Sequence, residues 1–263
     1  MSLFDAWCDL DEEALDAPTP KKKRLWKFTE KAGGRAAIKE RLCRKARSHY
    51  DSLESIADTI ARLGYEDAAA ILRNRLPQTA KARSGELGEI IATELTEEKM
   101  GFNVPVRRLR YKDGREAALR GDDFIGVGFD SNDKLWLLKG EAKSRAALAR
   151  TAIDDARAVL NRDGGRPTPI SLLFVADRLI ERGGEEKELG QALQDEVAKS
   201  ALPPSRIDHA LFTLSGNAPP QHLKDDLNAA DAGRRHKSIN LRVTDHPAFI
   251  KEIYEGIAEL GDD

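Results

Sequence analysis

The stretch RGDDFIGVGFDSNDKLWLLKGEAKSR, residues 120–145, constrains this chain more than any other. It reads as two short strands, 123–129 and 135–142, joined by the turn residues Ser131, Asn132 and Asp133. So short a connection makes the strands antiparallel neighbours. The second strand opens on the apolar run LWLL and turns polar at Glu141 and Lys143. Those two positions are two residues apart, so their side chains leave the same face. A carboxylate and an ammonium projected from the end of a buried strand are costly unless they hold something. Asp122 and Asp123 interrupt the neighbouring strand in the same manner, and the pairing brings Asp123 alongside Glu141. Alternation lets one of the two aspartates reach that point; Asp123 is the expected one, with Asp122 as its competitor.

Periodicity organises the rest. Ile38, Leu42 and Ala46, then Leu53, Ile56, Ala57, Ile60 and Leu63, mark helices within residues 36–76. Leu87, Ile90, Ile91 and Leu95 mark another, from 84 to about 101. Residues 102–109 read as a strand, 146–160 as a helix, and the apolar run 170–175 as a buried central strand. A helix near 187–199, strands at 207–214 and 238–243 and a closing helix at 247–260 follow. Strands interleaved with helices predict an α/β sandwich with helices on both sides of a mixed sheet. Residues 1–34, an acidic run, APTP, a basic run and Gly33-Gly34, are expected to be weakly ordered. Residues 35–80 form a helical N-terminal region, and 84–263 the main domain with α/β additions at its C-terminal end.

Composition excludes several classes. The net charge of −2 argues against a protein that coats nucleic acid by bulk electrostatics. It hides a basic block between Lys21 and Arg47, suited to phosphates, to an acidic partner or to a solvated face. No apolar run approaches the roughly 18 residues of a membrane helix. Cys8 and Cys43 are the only cysteines and lack a CxxC partner, which suits a reducing cytoplasm. No GxxxxGK[ST] loop is present, so ATP hydrolysis is not expected of this chain.

Two carboxylates and a backbone carbonyl make a hard oxygen site of the kind Mg²⁺ or Mn²⁺ prefers. Upstream, Gly85-Glu86-Leu87-Gly88-Glu89 opens a helix whose glycines permit close packing; Glu89 is the expected third carboxylate and Glu86 its competitor. Arg107, Arg108, Arg110 and Arg120 cluster around the same strands, and Arg145 follows Lys143 closely. They are candidate phosphate contacts, although ordinary strand-edge charges look the same. The five histidines lack metal-ligand spacing, and His246 before Pro247 reads as a helix-entry residue.

The order of a helical Glu, an Asp and then Glu-x-Lys resembles the PD-(D/E)XK nucleases, with 17 residues separating Asp123 from Glu141. The expected helix, three strands, helix and strand also match that group's αβββαβ core. The likeness is closer still. RSGELGEIIATE, PVRRLRYKDGREAALRGDDFIG, LLKGEAKSR, GRPTPISLLFVADRL, ALFTLSGN and DHPAFI resemble the nuclease subunit of the Hachiman anti-phage system, the HamA family. That likeness runs from about Ser84 onward and is weaker across the N-terminal helices.

The resemblance implies a restriction-endonuclease-like mixed-sheet sandwich with an N-terminal helical extension. It implies a Mg²⁺- or Mn²⁺-dependent deoxyribonuclease with Glu89, Asp123, Glu141 and Lys143 at its centre. Glu89, Asp123 and Glu141 would bind metal; the arginines clustered around the strands, Arg107, Arg108, Arg120 and Arg145, are then the expected DNA contacts. A superfamily 2 helicase would be the partner that senses infection or DNA damage. Two alternatives stay open: a catalytically silent scaffold that binds DNA or regulates, and a restriction or junction-resolving endonuclease.

Overall fold

The computed structural model describes residues 2–16, 22–117, 119–218 and 220–259. It begins with α1 (Leu3–Trp7), β1 (Cys8–Ala14) and β2 (Lys23–Glu30), where the sequence suggests weak order. Residues 17–21 of that expectation lie outside the described residues. The correction has an electrostatic cause. β1 and β2 pair antiparallel with Asp11 opposite Lys27, and the Asp11 carboxylate stands 2.6 Å from the Lys27 ammonium. Arg24 meets Glu12 at 2.5 Å. The acidic and basic runs are the two halves of one hairpin, and cross-strand pairs of opposite charge stabilise it. Trp26 and Phe28 are buried on one face of β2 and Leu25 on the other.

The helices α2 (Gly34–Ser48), α3 (Leu53–Leu63), α4 (Tyr65–Arg75) and α5 (Ala80–Lys99) follow. Residues 102–109 do not form the expected strand. One bridge, Asn103 to Val127, precedes Pro105, which has no N–H to donate to a ladder, and a 3₁₀ turn takes Arg108–Tyr111. β3 (Phe124–Phe129) and β4 (Leu135–Arg145) form the predicted hairpin. α6 (Arg150–Asn161) comes next, then α7 (Pro169–Arg182) and α8 (Gly184–Lys199).

α7 replaces the central strand expected at 170–175. Thr168 caps it and Pro169 sits in its first turn, a helix-start signal that outweighs the short apolar run. Burial inside it follows a helical period, with Leu172 and Val175 covered while Ile170 and Leu173 are exposed. β5 (Ile207–Ser215), α9 (Pro220–Ala229), β6 (His236–Arg242) and α10 (His246–Glu259) complete the chain. α9 is not expected from the sequence pattern, and Leu260, at the predicted end of the last helix, lies outside the described residues.

The six strands run in the order β1-β2-β6-β5-β4-β3. The pairs β2/β6, β6/β5 and β5/β4 are parallel; the two outer pairs are antiparallel. The sheet is therefore mixed and flanked by helices, as expected. On one face, Ile38, Leu42, Ile90, Ile91, Phe249 and Ile253 of α2, α5 and α10 pack over the sheet. On the other, α6 and α9 cover Leu25 and Leu211, while α7 and α8 cover Ile125, Leu137 and Ile207. Among the described residues no helix is long and apolar enough to cross a membrane.

Candidate active site

The β3–β4 register pairs Phe124 with Gly140, and one further step sets Asp123 opposite Glu141. Asp123 stands just before β3, where the ladder ends, and its Oδ2 accepts the Ala142 N–H at 2.8 Å. Two residues beyond Glu141, the Lys143 ammonium donates to Glu141 Oε1. Glu141 is buried, Asp123 and Lys143 half-buried.

Asp122 goes elsewhere. Its Oδ2 accepts the Thr168 N–H at 2.6 Å and the Thr168 hydroxyl at 3.1 Å, and its other oxygen lies 3.5 Å from the Lys139 ammonium. Both partners of that ion pair are fully buried. The structure thus brings Asp123 to Glu141 and commits Asp122 to the start of α7.

The third carboxylate arrives on α5. Gly88 faces Ser144 of β4 so closely that an added Cβ would stand 3.0 Å from the serine Cβ. That approach brings the next residue, Glu89, within electrostatic reach of Asp123 and Glu141. Gly85 has open space around it and contributes nothing of the kind. Glu86 is already engaged, accepting the Tyr50 hydroxyl at 2.8 Å and the Lys112 ammonium.

Burial pushes Glu89 well above the ordinary carboxylate range, and the Asp123 charge adds to it. Burial raises Asp123, against the lowering effect of the Ala142 N–H and of Lys143. Glu141 is raised to about 8, first by burial and then by Asp123, with Lys143 opposing. Three carboxylates that desolvate and repel one another fit a hard divalent cation, which would relieve both costs. Among the described residues no three His, Cys, Asp or Glu side chains stand ready-spaced around a metal. The Lys143 ammonium holds the place beside Glu141 instead.

One of the predicted groove arginines, Arg108, is corrected. Arg108 is buried and donates to the backbone carbonyls of Asp122 and Arg120, fixing the segment ahead of Asp123. Arg107 is tied to Glu97 at 2.6 Å. The Arg108 guanidinium is not free to line a groove, whereas Arg107 is half-buried and lines a cavity of about 680 Å³ with Arg110 and Arg182. Arg120 and Arg145 are exposed.

Beside the end of β4 lies a cavity of about 690 Å³ lined in part by Lys81, Arg83, Ser144, Arg145, His246 and Lys251. Lys81, Arg83 and Lys251 come from α5 and α10 and show no common spacing by which the sequence could group them. His246 is more than an entry residue, since its Nε2 lies 2.9 Å from Ser144 Oγ.

The HamA family model matches residues 1–257. The chain belongs to the HamA family. The match covers the N-terminal hairpin and α2–α4, where the resemblance in the residues is weakest. A Bacillus cereus relative, Hachiman protein HamA, is 28% identical over 179 residues, which is 68% of this chain and 62% of the relative. This HamA-family chain thus spans less than two thirds of that relative's length.

Proposed function

We propose that this HamA-family protein is a metal-dependent deoxyribonuclease of the PD-(D/E)XK type. The observation that carries the reading is the placement of Asp123 opposite Glu141, with Lys143 beside Glu141 and Glu89 delivered from α5. Glu89, Asp123 and Glu141 would hold Mg²⁺ or Mn²⁺. A bound divalent ion supplies Lewis-acid polarisation of the scissile phosphate and a lowered pKa for water. Asp123 is oriented for this by the Ala142 N–H. Lys143 would give its ammonium to charge developing on the phosphate oxygens. Lys81, Arg145 and Lys251 offer contacts to the DNA backbone, which position a strand without reading its sequence.

Family membership and the likeness to a Hachiman protein support a role in anti-phage defence. A non-specific nuclease endangers its own cell, and the chain has no phosphate-binding GxxxxGK[ST] loop through which ATP could restrain it. Control is therefore assigned to a partner that hydrolyses ATP, and the family resemblance makes that partner a superfamily 2 helicase.

The Lys143–Glu141 ion pair favours one competing reading, a silent scaffold in which the lysine permanently neutralises the glutamate. Supercoiled plasmid incubated with the purified chain in Mg²⁺ or EDTA, beside Glu141→Ala, separates the two. Nicking or degradation in Mg²⁺ that disappears with EDTA and in the variant supports the nuclease. Equal cutting by parent and Glu141→Ala removes the catalytic assignment, and no cutting by either selects the scaffold.

A further inference from the structure

A second charged feature lies across the sheet from Glu141. Gly140 pairs with Ala210, Ala210 with Lys237 and Lys237 with Arg24, so these four share one face. Glu141 and Lys143, displaced by odd numbers of residues from Gly140, belong to the other. On the Lys237 face a cavity of about 240 Å³ is lined by Lys22, Arg24, Arg235 and Lys237, with Asp208 as the one carboxylate among its described lining residues. Phe102 supplies an apolar wall.

The charges there do not balance. Asp208 is already taken, 3.0 Å from the Arg235 guanidinium and accepting the Trp136 indole N–H at 2.9 Å. Glu12 serves Arg24 at 2.5 Å, outside the cavity lining. The Lys237 ammonium rests 3.6 Å from the centre of the Trp26 ring, and among the described residues it forms no ion pair with a carboxylate. Burial, and then the Arg24 charge, push it down to about 8. The Arg235 guanidinium stacks 3.9 Å from the Trp136 ring centre. Two cations are thus held in fixed positions on indoles, beside a third, with too little negative charge to neutralise them. Lys237 and Arg24 are half-buried and Arg235 is exposed; like charges crowded together are costly, and the cost falls when an anion joins them. Arginine forks match the oxygens of a phosphate, and an ammonium adds a point charge.

We propose that this cavity binds a nucleoside monophosphate, the phosphate held by Lys237, Arg235 and Arg24 and the base against Phe102. The site stands apart from the carboxylate cluster, so it holds whether or not that cluster cleaves DNA.

The full chain is titrated with AMP, inorganic phosphate and adenosine, following tryptophan fluorescence and the heat of binding. AMP is expected to bind and to perturb the emission of Trp26 and Trp136. Inorganic phosphate should bind more weakly, and adenosine not at all. Lys237→Met, which keeps the apolar stem over Trp26, should weaken AMP about tenfold or more. Arg235→Gln serves as a second variant should the first lower the melting temperature. Glu141→Ala should bind AMP as the parent does. Adenosine binding as well as AMP, phosphate binding as well as AMP, or unchanged affinity in both folded cavity variants would each overturn the proposal.

Discussion

The Asp122 carboxylate accepts the Thr168 N–H at 2.6 Å, so one member of an aspartate pair fastens α7 to the loop ahead of β3. Its neighbour, Asp123, is left to meet β4. Asp122→Ala would take the carboxylate partner from the fully buried Lys139 ammonium and release Thr168, the residue that caps α7. Removing one partner of a buried ion pair costs about 3–5 kcal/mol. Asp123→Ala gives up one hydrogen bond, worth about 1 kcal/mol, while relieving the repulsion with Glu141 and Glu89. Urea unfolding without metal should therefore show a large loss for Asp122→Ala and a small change for Asp123→Ala. The opposite ranking would exchange their roles.

Acidity gives a second expectation. The folded protein holds the Glu141 proton up to about 8, against 4.5 for an ordinary glutamate. Between those values the folded state binds more protons than the unfolded, so this contribution falls as pH rises. It is complete below the ordinary value and gone once pH passes the raised one. The depressed His209 and His236 act in the opposite direction, but only below their ordinary value of 6.5. From about pH 6.5 to 8, metal-free parent should therefore lose more melting temperature than Glu141→Gln. Added Mg²⁺ should restore more at the upper end, where the carboxylate is charged. Parallel profiles for parent and variant would show that the Glu141 environment is not as described.

Packing gives the third. Alanine in place of a mid-helix glycine gains roughly 0.5–1 kcal/mol where there is room. Gly85→Ala has that room and should raise the melting temperature. Gly88→Ala presses on Ser144 at 3.0 Å, so α5 and β4 must give by a few tenths of an ångström, and a shift of α5 carries Glu89 with it. Its melting temperature should fall, and any cleavage should fall further than stability accounts for. Equal gains from both alanines would mean that the helix is free to shift.

The carboxylate geometry was legible because it is local. Asp123, Glu141 and Lys143 sit on one hairpin, and strand alternation plus a short turn fixes who faces whom. Glu89 was legible only through its glycine neighbour, since the contact that places it, Gly88 on Ser144, joins distant segments. Arg108 misled because charge alone does not reveal burial; it spends its donors on carbonyls. Residues 170–175 misled because six apolar residues satisfy a strand and a helix equally, and the cap at Thr168 decides. The first strands were missed because charged strands look disordered until their partner is identified. Lys27 and Asp11 each look solvated, and only together do they define an edge.

The position of β6 has a consequence for how the protein comes into being. Within the sheet it is the one strand that touches both β2 and β5. Without it the hairpin made first and the three-strand half carrying Glu141 share no ladder. On a ribosome, β2 waits through the synthesis of nearly everything else for its parallel neighbour, and such distant pairings form slowly. The nascent chain therefore bears its whole acidic cluster long before it has a continuous sheet to hold it, and β6 acts as the keystone whose arrival makes the two halves one cooperative body.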